Sequence, residues 1–92
     1  MRNVVWLDTA VDDLHAIAEF IAEHDPLAAR RLVERLLDDA DSLGLLPAQY
    51  RRGRVAGTHE FVSHPNYILV YRYTVNQVEV LNVLHARQQY PR

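Results

Sequence analysis

Cysteine is absent from the 92 residues, which excludes disulfides and thiolate zinc sites. Long apolar runs are absent too. The longest, such as Ile68-Leu69-Val70-Tyr71, fall far short of the roughly 20 residues needed to cross a bilayer, so no membrane association is expected. The start, Met1 to Trp6, lacks the apolar stretch of a secretory signal, and the protein is expected to stay in the cytoplasm where it is made. An excess of positive charge is also missing. The formal net charge is −2, which excludes a surface that grips nucleic acid everywhere, because phosphate binding is dominated by basic charge. Repeats, low-complexity stretches and interdomain linkers are not found. His15, His24 and His64 have no partner at metal-ligand spacing, so neither a metal nor any other cofactor is expected.

What is present is the balance of an ordinary globular protein: 49% hydrophobic and 24% charged residues, enough for one domain over residues 1–92 with one modest core. Charge is unevenly placed. Asp and Glu crowd the first half, from Asp8 to Asp41. Arg51, Arg52 and Arg54 then make a compact basic patch, and Arg72, Arg87 and Arg92 follow. A local basic site on a near-neutral protein is compatible with this distribution.

The pattern reads strand, helix, helix, strand, strand, strand. Asn3 to Leu7 is a short β-type run. Thr9 precedes Ala10-Val11-Asp12 as a capping arrangement, and Leu14, Ile17, Ala18 and Ile21 then recur at helical spacing. Asp25-Pro26 ends this helix and starts the next, with Asp as N-cap and Pro in the first turn. Ala29, Leu32, Val33, Leu36, Leu37, Ala40 and Leu43 form a broad apolar face, and Gly44 is expected as a left-handed C-cap. Strand signals cover Val55 to Val62, Tyr67 to Thr74 and Val78 to Leu84, with turns at His64-Pro65-Asn66 and Asn76-Gln77. The last two runs are apolar on both faces and so belong in the centre of the sheet. The fold class is α+β: a small antiparallel sheet packed against an N-terminal helical hairpin, its other face open to a ligand or partner. Tyr67, Tyr71 and Tyr73 share one strand face and are read as packing residues rather than base-stacking ones.

Four segments resemble a known family. Ala10-x-x-Asp13-Leu14-x-x-Ile17-x-x-Phe20-Ile21 is similar to the first helix of the RelE/ParE toxins. Gly53-Arg54-Val55-Ala56-Gly57-Thr58-His59-Glu60-Phe61-Val62 resembles their second strand, with His59 where an Arg is common. Tyr67 to Tyr73 resembles the third strand, and Val80 to Pro91 the family's ending. The resemblance implies the β-α-α-β-β-β order, a toxin of a bacterial type II toxin–antitoxin pair, and a companion antitoxin that folds on binding. Members fall into two effector classes: RelE-type toxins cut mRNA on the ribosome, whereas ParE-type toxins poison DNA gyrase.

Metal-free RNA cleavage needs a base for the 2′-hydroxyl, cations for the phosphate and an acid for the 5′-oxygen. What the resemblance offers for this is His85 as acid or base, Arg87 for phosphate and Tyr90 for stacking or proton transfer, with Arg51, Arg52, Arg54 and Arg72 as target-binding cations. A plain structural reading stands beside each: His85 hydrogen-bonding a backbone group, Tyr90 packing on the sheet edge, the arginine patch a solvated loop. His59 and Glu60 are adjacent on one strand, point to opposite faces and cannot serve one site. Ribosome-dependent mRNA cleavage is the expected activity, with gyrase poisoning and a non-toxic antitoxin-binding module as alternatives.

Overall fold

Residues 1–91 are described by a computed structural model, with Arg92 outside the described residues. The elements run β1 (Asn3–Trp6), α1 (Asp8–Ala22), α2 (Pro26–Ser42), a short 3-10 turn (Pro47–Gln49), β2 (His59–His64), β3 (Tyr67–Tyr73) and β4 (Gln77–His85). The order read from the sequence is the order found. The sheet is arranged β1-β4-β3-β2, so the two strands that are apolar on both faces are central. It departs from a purely antiparallel sheet at one edge, where β1 pairs parallel to β4. A parallel neighbour requires a long return connection, and here the whole of α1 through β3 supplies it.

The helix hairpin covers one sheet face. Ala10 and Leu14 of α1 and Leu32, Leu36 and Ala40 of α2 pack with Leu69, Tyr71, Val78, Val80 and Val83. Tyr71 is wholly buried among them, and Tyr67 and Tyr73 pack half-buried at the margins. Tyr71 is thus core, and Tyr67 and Tyr73 pack at its margins on the same strand face. The hydroxyl of Tyr71 donates to the carbonyl of Pro47 and pins the loop between α2 and β2 to the centre of the sheet.

Several local expectations are revised by tertiary contacts. Asp25 caps α2 as expected, its carboxylate accepting from the Ala28 N–H at 3.0 Å. Thr9 does not cap α1. The helix starts two residues earlier than a Thr9 cap would give, at Asp8, with no side-chain cap on Leu7, and the Thr9 hydroxyl donates instead to the Leu81 carbonyl at 2.5 Å. Gly44 is not a left-handed cap. α2 ends with Leu43 in right-handed geometry, and the Gly44 and Leu45 amides satisfy the carbonyls of Asp41 and Ser42 by continuing the turn. β2 starts at His59 rather than Val55, because residues 53–58 close on themselves before the ladder begins.

Thr9 and Asp13, one helical turn apart, both serve an irregularity in β4. Between Val70 and Tyr71 the register slips from Asn82 to Val80, leaving Leu81 as an extra residue. Such a bulge frees backbone groups from the ladder. Thr9 takes the Leu81 carbonyl, and one Asp13 carboxylate oxygen accepts from the Val83 N–H (3.0 Å) and the Asn82 side-chain amide (2.9 Å). Asp13→Ala is therefore expected to lower unfolding free energy by about 2 kcal/mol, the value of hydrogen bonds to a partly buried charge. Asp13→Asn, which keeps an acceptor oxygen, should lose less than half of that. Urea unfolding checks both, and an unchanged midpoint for Asp13→Ala would contradict the role.

Candidate functional site

The sheet face turned away from the helices carries Glu60 and Val62 of β2, Ile68, Val70 and Arg72 of β3, and Glu79, Asn82 and Leu84 of β4, as the register and the strand alternation dictate. Its far end is closed by the C-terminal segment: Tyr90 and Leu81 pack on the buried cluster Ile68, Val70 and Leu84. The near end is polar. Glu60 is 3% exposed, accepts from the Arg51 guanidinium at 3.1 Å and from the Arg54 backbone N–H at 3.0 Å, and pairs with the Arg54 guanidinium at 3.2 Å. Beside it Arg72 Nε meets Glu79 at 2.5 Å, and Gln77 donates to the other Glu79 oxygen at 2.6 Å.

Burial pushes the Glu60 carboxyl up, but the Arg54 N–H and the two guanidiniums outweigh it and hold the group below the usual carboxylate range. The Glu79 carboxyl is also held low, by the hydrogen bonds from Arg72 and then Gln77. Because the folded pKa of Glu60 lies below its unfolded value, its contribution to stability is complete above the ordinary carboxylate range. That contribution disappears as pH falls through the lowered folded value. Unfolding free energy should thus decline with acidification, and Glu60→Gln should flatten the decline while lowering stability at neutral pH. Parallel pH profiles of the parent and Glu60→Gln would contradict this.

The loop that delivers the arginines is held shut by its own bonds. The Gly53 N–H donates to the Thr58 carbonyl (2.8 Å), and both the N–H and the hydroxyl of Thr58 donate to the Val55 carbonyl. Gly57 has φ +82°, left-handed geometry that favours glycine. A Cβ at Gly53 would stand 2.2 Å from the Thr58 hydroxyl oxygen. The Gly-Arg-x-x-Gly-Thr-x-Glu pattern is therefore a turn that folds Arg51 and Arg54 back onto Glu60.

The sequence-derived site residues are divided among three places. Arg51, Arg54 and Arg72 share the open face, each on a carboxylate. Arg52 bridges to His59 and lies on the opposite side of the strand. His85 ends β4 toward the helices: its ring meets Tyr67 edge-on at 5.5 Å, it lines a cleft with Ile17 and Phe20 of α1, and its Nδ1 accepts the Arg87 N–H at 3.2 Å. Arg87 is exposed in the turn that follows. Tyr90 belongs to the open face, where its hydroxyl donates to the Asn82 side-chain oxygen at 3.0 Å. His85 and Tyr90, close in sequence, thus sit on opposite sides of the sheet.

Glu60 and Glu79 were not singled out from sequence as organisers of the face. The available signal was Glu60 itself, an acid in an apolar strand nine and six residues after two arginines. Among the described residues no group of three or more His, Asp or Glu could hold a metal ion, and no helix is long and apolar enough to cross a membrane.

The comparisons with known proteins follow this architecture. The structure of a chromosomal ParDE toxin–antitoxin system from Pseudomonas aeruginosa superposes with a TM-score of 0.83 at 19% identity, covering 92% of this chain and 96% of that one. "Toxin RelE2" of Caulobacter vibrioides is 39% identical over 88 residues, 94% of this chain and 97% of its own length. "Putative toxin Y4kP" of Sinorhizobium fredii is 38% identical over 91 residues, 98% of this chain and 94% of its own. These likenesses define the class, a toxin of the RelE/ParE superfamily. The family model for the ParE toxin of type II toxin–antitoxin systems matches residues 4–90, and the chain belongs to that family. Its partner is accordingly a cognate antitoxin.

Proposed function

We propose that this toxin acts in the cytoplasm by docking its open sheet face on a protein target, and that the target is DNA gyrase. The observation that carries the reading is the matched charge of that face. Arg51 and Arg54 are engaged by Glu60 and Arg72 by Glu79, so the patch is an ordered lattice of donors and acceptors rather than free cations awaiting phosphate. Fixed ion pairs of this kind suit recognition of a polar protein surface, where geometry gives specificity. His85 and Tyr90 lie on opposite sides of the sheet, which favours a docking role over their acting together as one acid–base pair. The ParE family match points the same way, since gyrase poisoning is the activity associated with that branch.

Supercoiling by purified gyrase should stop when the chain is added and resume with antitoxin. Supercoiling that continues at toxin concentrations sufficient to arrest growth would overturn the target. A second reading, ribosome-dependent mRNA cleavage, is favoured by one observation, the 39% identity to a relative named Toxin RelE2. It requires new mRNA ends that appear only with ribosomes. The remaining alternative, a non-toxic antitoxin-binding module, requires normal growth when the chain is expressed alone.

A further inference from the structure

A second cavity lies on the helix side of the β2–β3 edge, across the strand from Glu60. It measures about 400 Å³ and is walled by the 52–58 loop, His59 and Tyr73. That volume is within the range of small-molecule pockets, about 300–1,000 Å³. The loop that forms it is closed by the Gly53–Thr58 and Thr58–Val55 bonds already described.

Its chemistry differs from the open face. Of the three clustered arginines, Arg51 and Arg54 are spent on Glu60, while Arg52, exposed and directed to this side by its bridge to His59, has no acidic partner among the described residues. Among the described residues no carboxylate lines the cavity, although the chain as a whole is net negative. A second cation stands close: the Arg2 guanidinium lies 5.4 Å from the centre of the Tyr73 ring. The rest of the wall is made by Gly53, Gly57 and Thr58 together with apolar and aromatic side chains. The His59 and Tyr73 rings meet at 5.2 Å, and His59 stacks on Tyr71 at 5.6 Å. His59 Nδ1 is sealed from solvent and has no hydrogen-bond partner, so His59 offers the cavity ring surface more than a polar edge. Val55 and Ala56 complete an apolar side.

An unpaired guanidinium at the mouth of an acid-free, ring-lined cavity fits an anion that carries a flat apolar group. We infer that this cavity binds a nucleotide unit, with Arg52 holding the phosphate in its two-pronged donor geometry and the base lying against Tyr73 and His59. Arginine–phosphate pairing and base stacking on aromatic rings are the two contributions that sequence-tolerant nucleotide sites combine. A carboxylate side chain from a protein would use the cation and leave the ring wall empty.

The test is a ¹H–¹⁵N NMR titration of the full chain with adenosine 5′-monophosphate, adenosine, inorganic phosphate and a glutamate-rich peptide. Saturable shifts should appear in residues 53–59 and at Tyr73, with the nucleotide binding at a Kd of about 1 mM or tighter and ahead of both of its halves. Arg52→Ala should weaken it at least tenfold while the rest of the spectrum is unchanged, which certifies the fold of this exposed-site variant. Absence of saturable shifts, phosphate alone or the peptide binding as well as the nucleotide, or undiminished binding by Arg52→Ala would each overturn the site. A short single-stranded oligonucleotide that binds more tightly than the monomer assigns the site to a strand, and equal binding assigns it to free nucleotide. The measurement uses neither gyrase nor ribosomes, so it stands or fails separately from the choice of target.

Discussion

Tyr71→Ala should remove about 4 kcal/mol of unfolding free energy, the upper range for deleting a buried aromatic ring. Small domains have roughly 5–15 kcal/mol in total, so much of the variant should be unfolded under conditions where the parent is folded. The size of the effect follows from position. Tyr71 is wholly buried at the middle of central strand β3, pairs with Val80 just beyond the bulge, and stacks beneath His59. Its hydroxyl is the tie to the Pro47 carbonyl. Burial, with some contribution from Tyr50 and Tyr73, pushes its phenol above the ordinary tyrosine range, so the group stays a neutral donor. Tyr71→Phe separates the two contributions. It keeps the ring and leaves the Pro47 carbonyl unpaired, at a cost of about 1–3 kcal/mol. Equal losses in the two variants, read from urea unfolding, would show that packing of the ring is not the dominant contribution.

The other large effect concerns function. Arg54→Ala combined with Arg72→Ala should weaken gyrase inhibition at least about a hundredfold, because arginines at the centre of a protein interface are often worth about 2 kcal/mol each and every 1.4 kcal/mol is tenfold in affinity. Both guanidiniums keep substantial exposure, 36% and 54%, and the buried Glu60 retains the Arg51 guanidinium and the backbone N–H of residue 54, which alanine also supplies. The double variant should therefore fold, with a circular dichroism spectrum like the parent's. His85→Ala is the matched control. Its ring lies on the helix side beside Tyr67, and its loss should change inhibition by no more than about threefold, below 1 kcal/mol. A collapse of toxicity in His85→Ala, with the arginine double variant still active, is the pattern of a nuclease and would reverse the assignment.

Local chemistry made much of this legible. Asp25-Pro26 marks a helix start in any context, because the cap and the proline act within one turn. The apolar strides of α1 and α2 and the doubly apolar β3 and β4 specify a hairpin over a sheet and the two central strands. What escaped the sequence depends on partners distant along the chain. Thr9 and Asp13 have the composition of a helix start, but their oxygens are claimed by a bulge about 70 residues later. Gly53 to Thr58 has β-type residues, yet the Gly57 turn and the Thr58–Val55 bonds withdraw it from the ladder.

The candidate site was legible in kind and not in arrangement. The arginines were visible as a cluster, but the bridge to His59 turns Arg52 to the helix side, alternation leaves its neighbour Arg51 on the other face, and the 53–58 turn folds Arg54 back beside Arg51 on Glu60. Only the fold places Glu60 and Glu79 where they neutralise the first group and Arg72. His85, Arg87 and Tyr90 formed a natural set because they lie within six residues. The turn at residues 86–89 carries the chain around the sheet end, so His85 stays exposed on the α1 side while Tyr90 reaches the opposite face.

The most direct test of the central claim is a paired assay of one preparation of purified chain. One half measures DNA supercoiling and cleavage by gyrase, the other maps mRNA ends in a cell-free translation mixture, each with and without antitoxin. A protein-docking toxin of the ParE family should block supercoiling in an antitoxin-reversible way and leave mRNA intact. Unaffected supercoiling together with new, ribosome-dependent and antitoxin-sensitive mRNA ends would contradict the account and return His85, Arg87 and Tyr90 to the centre of the chemistry.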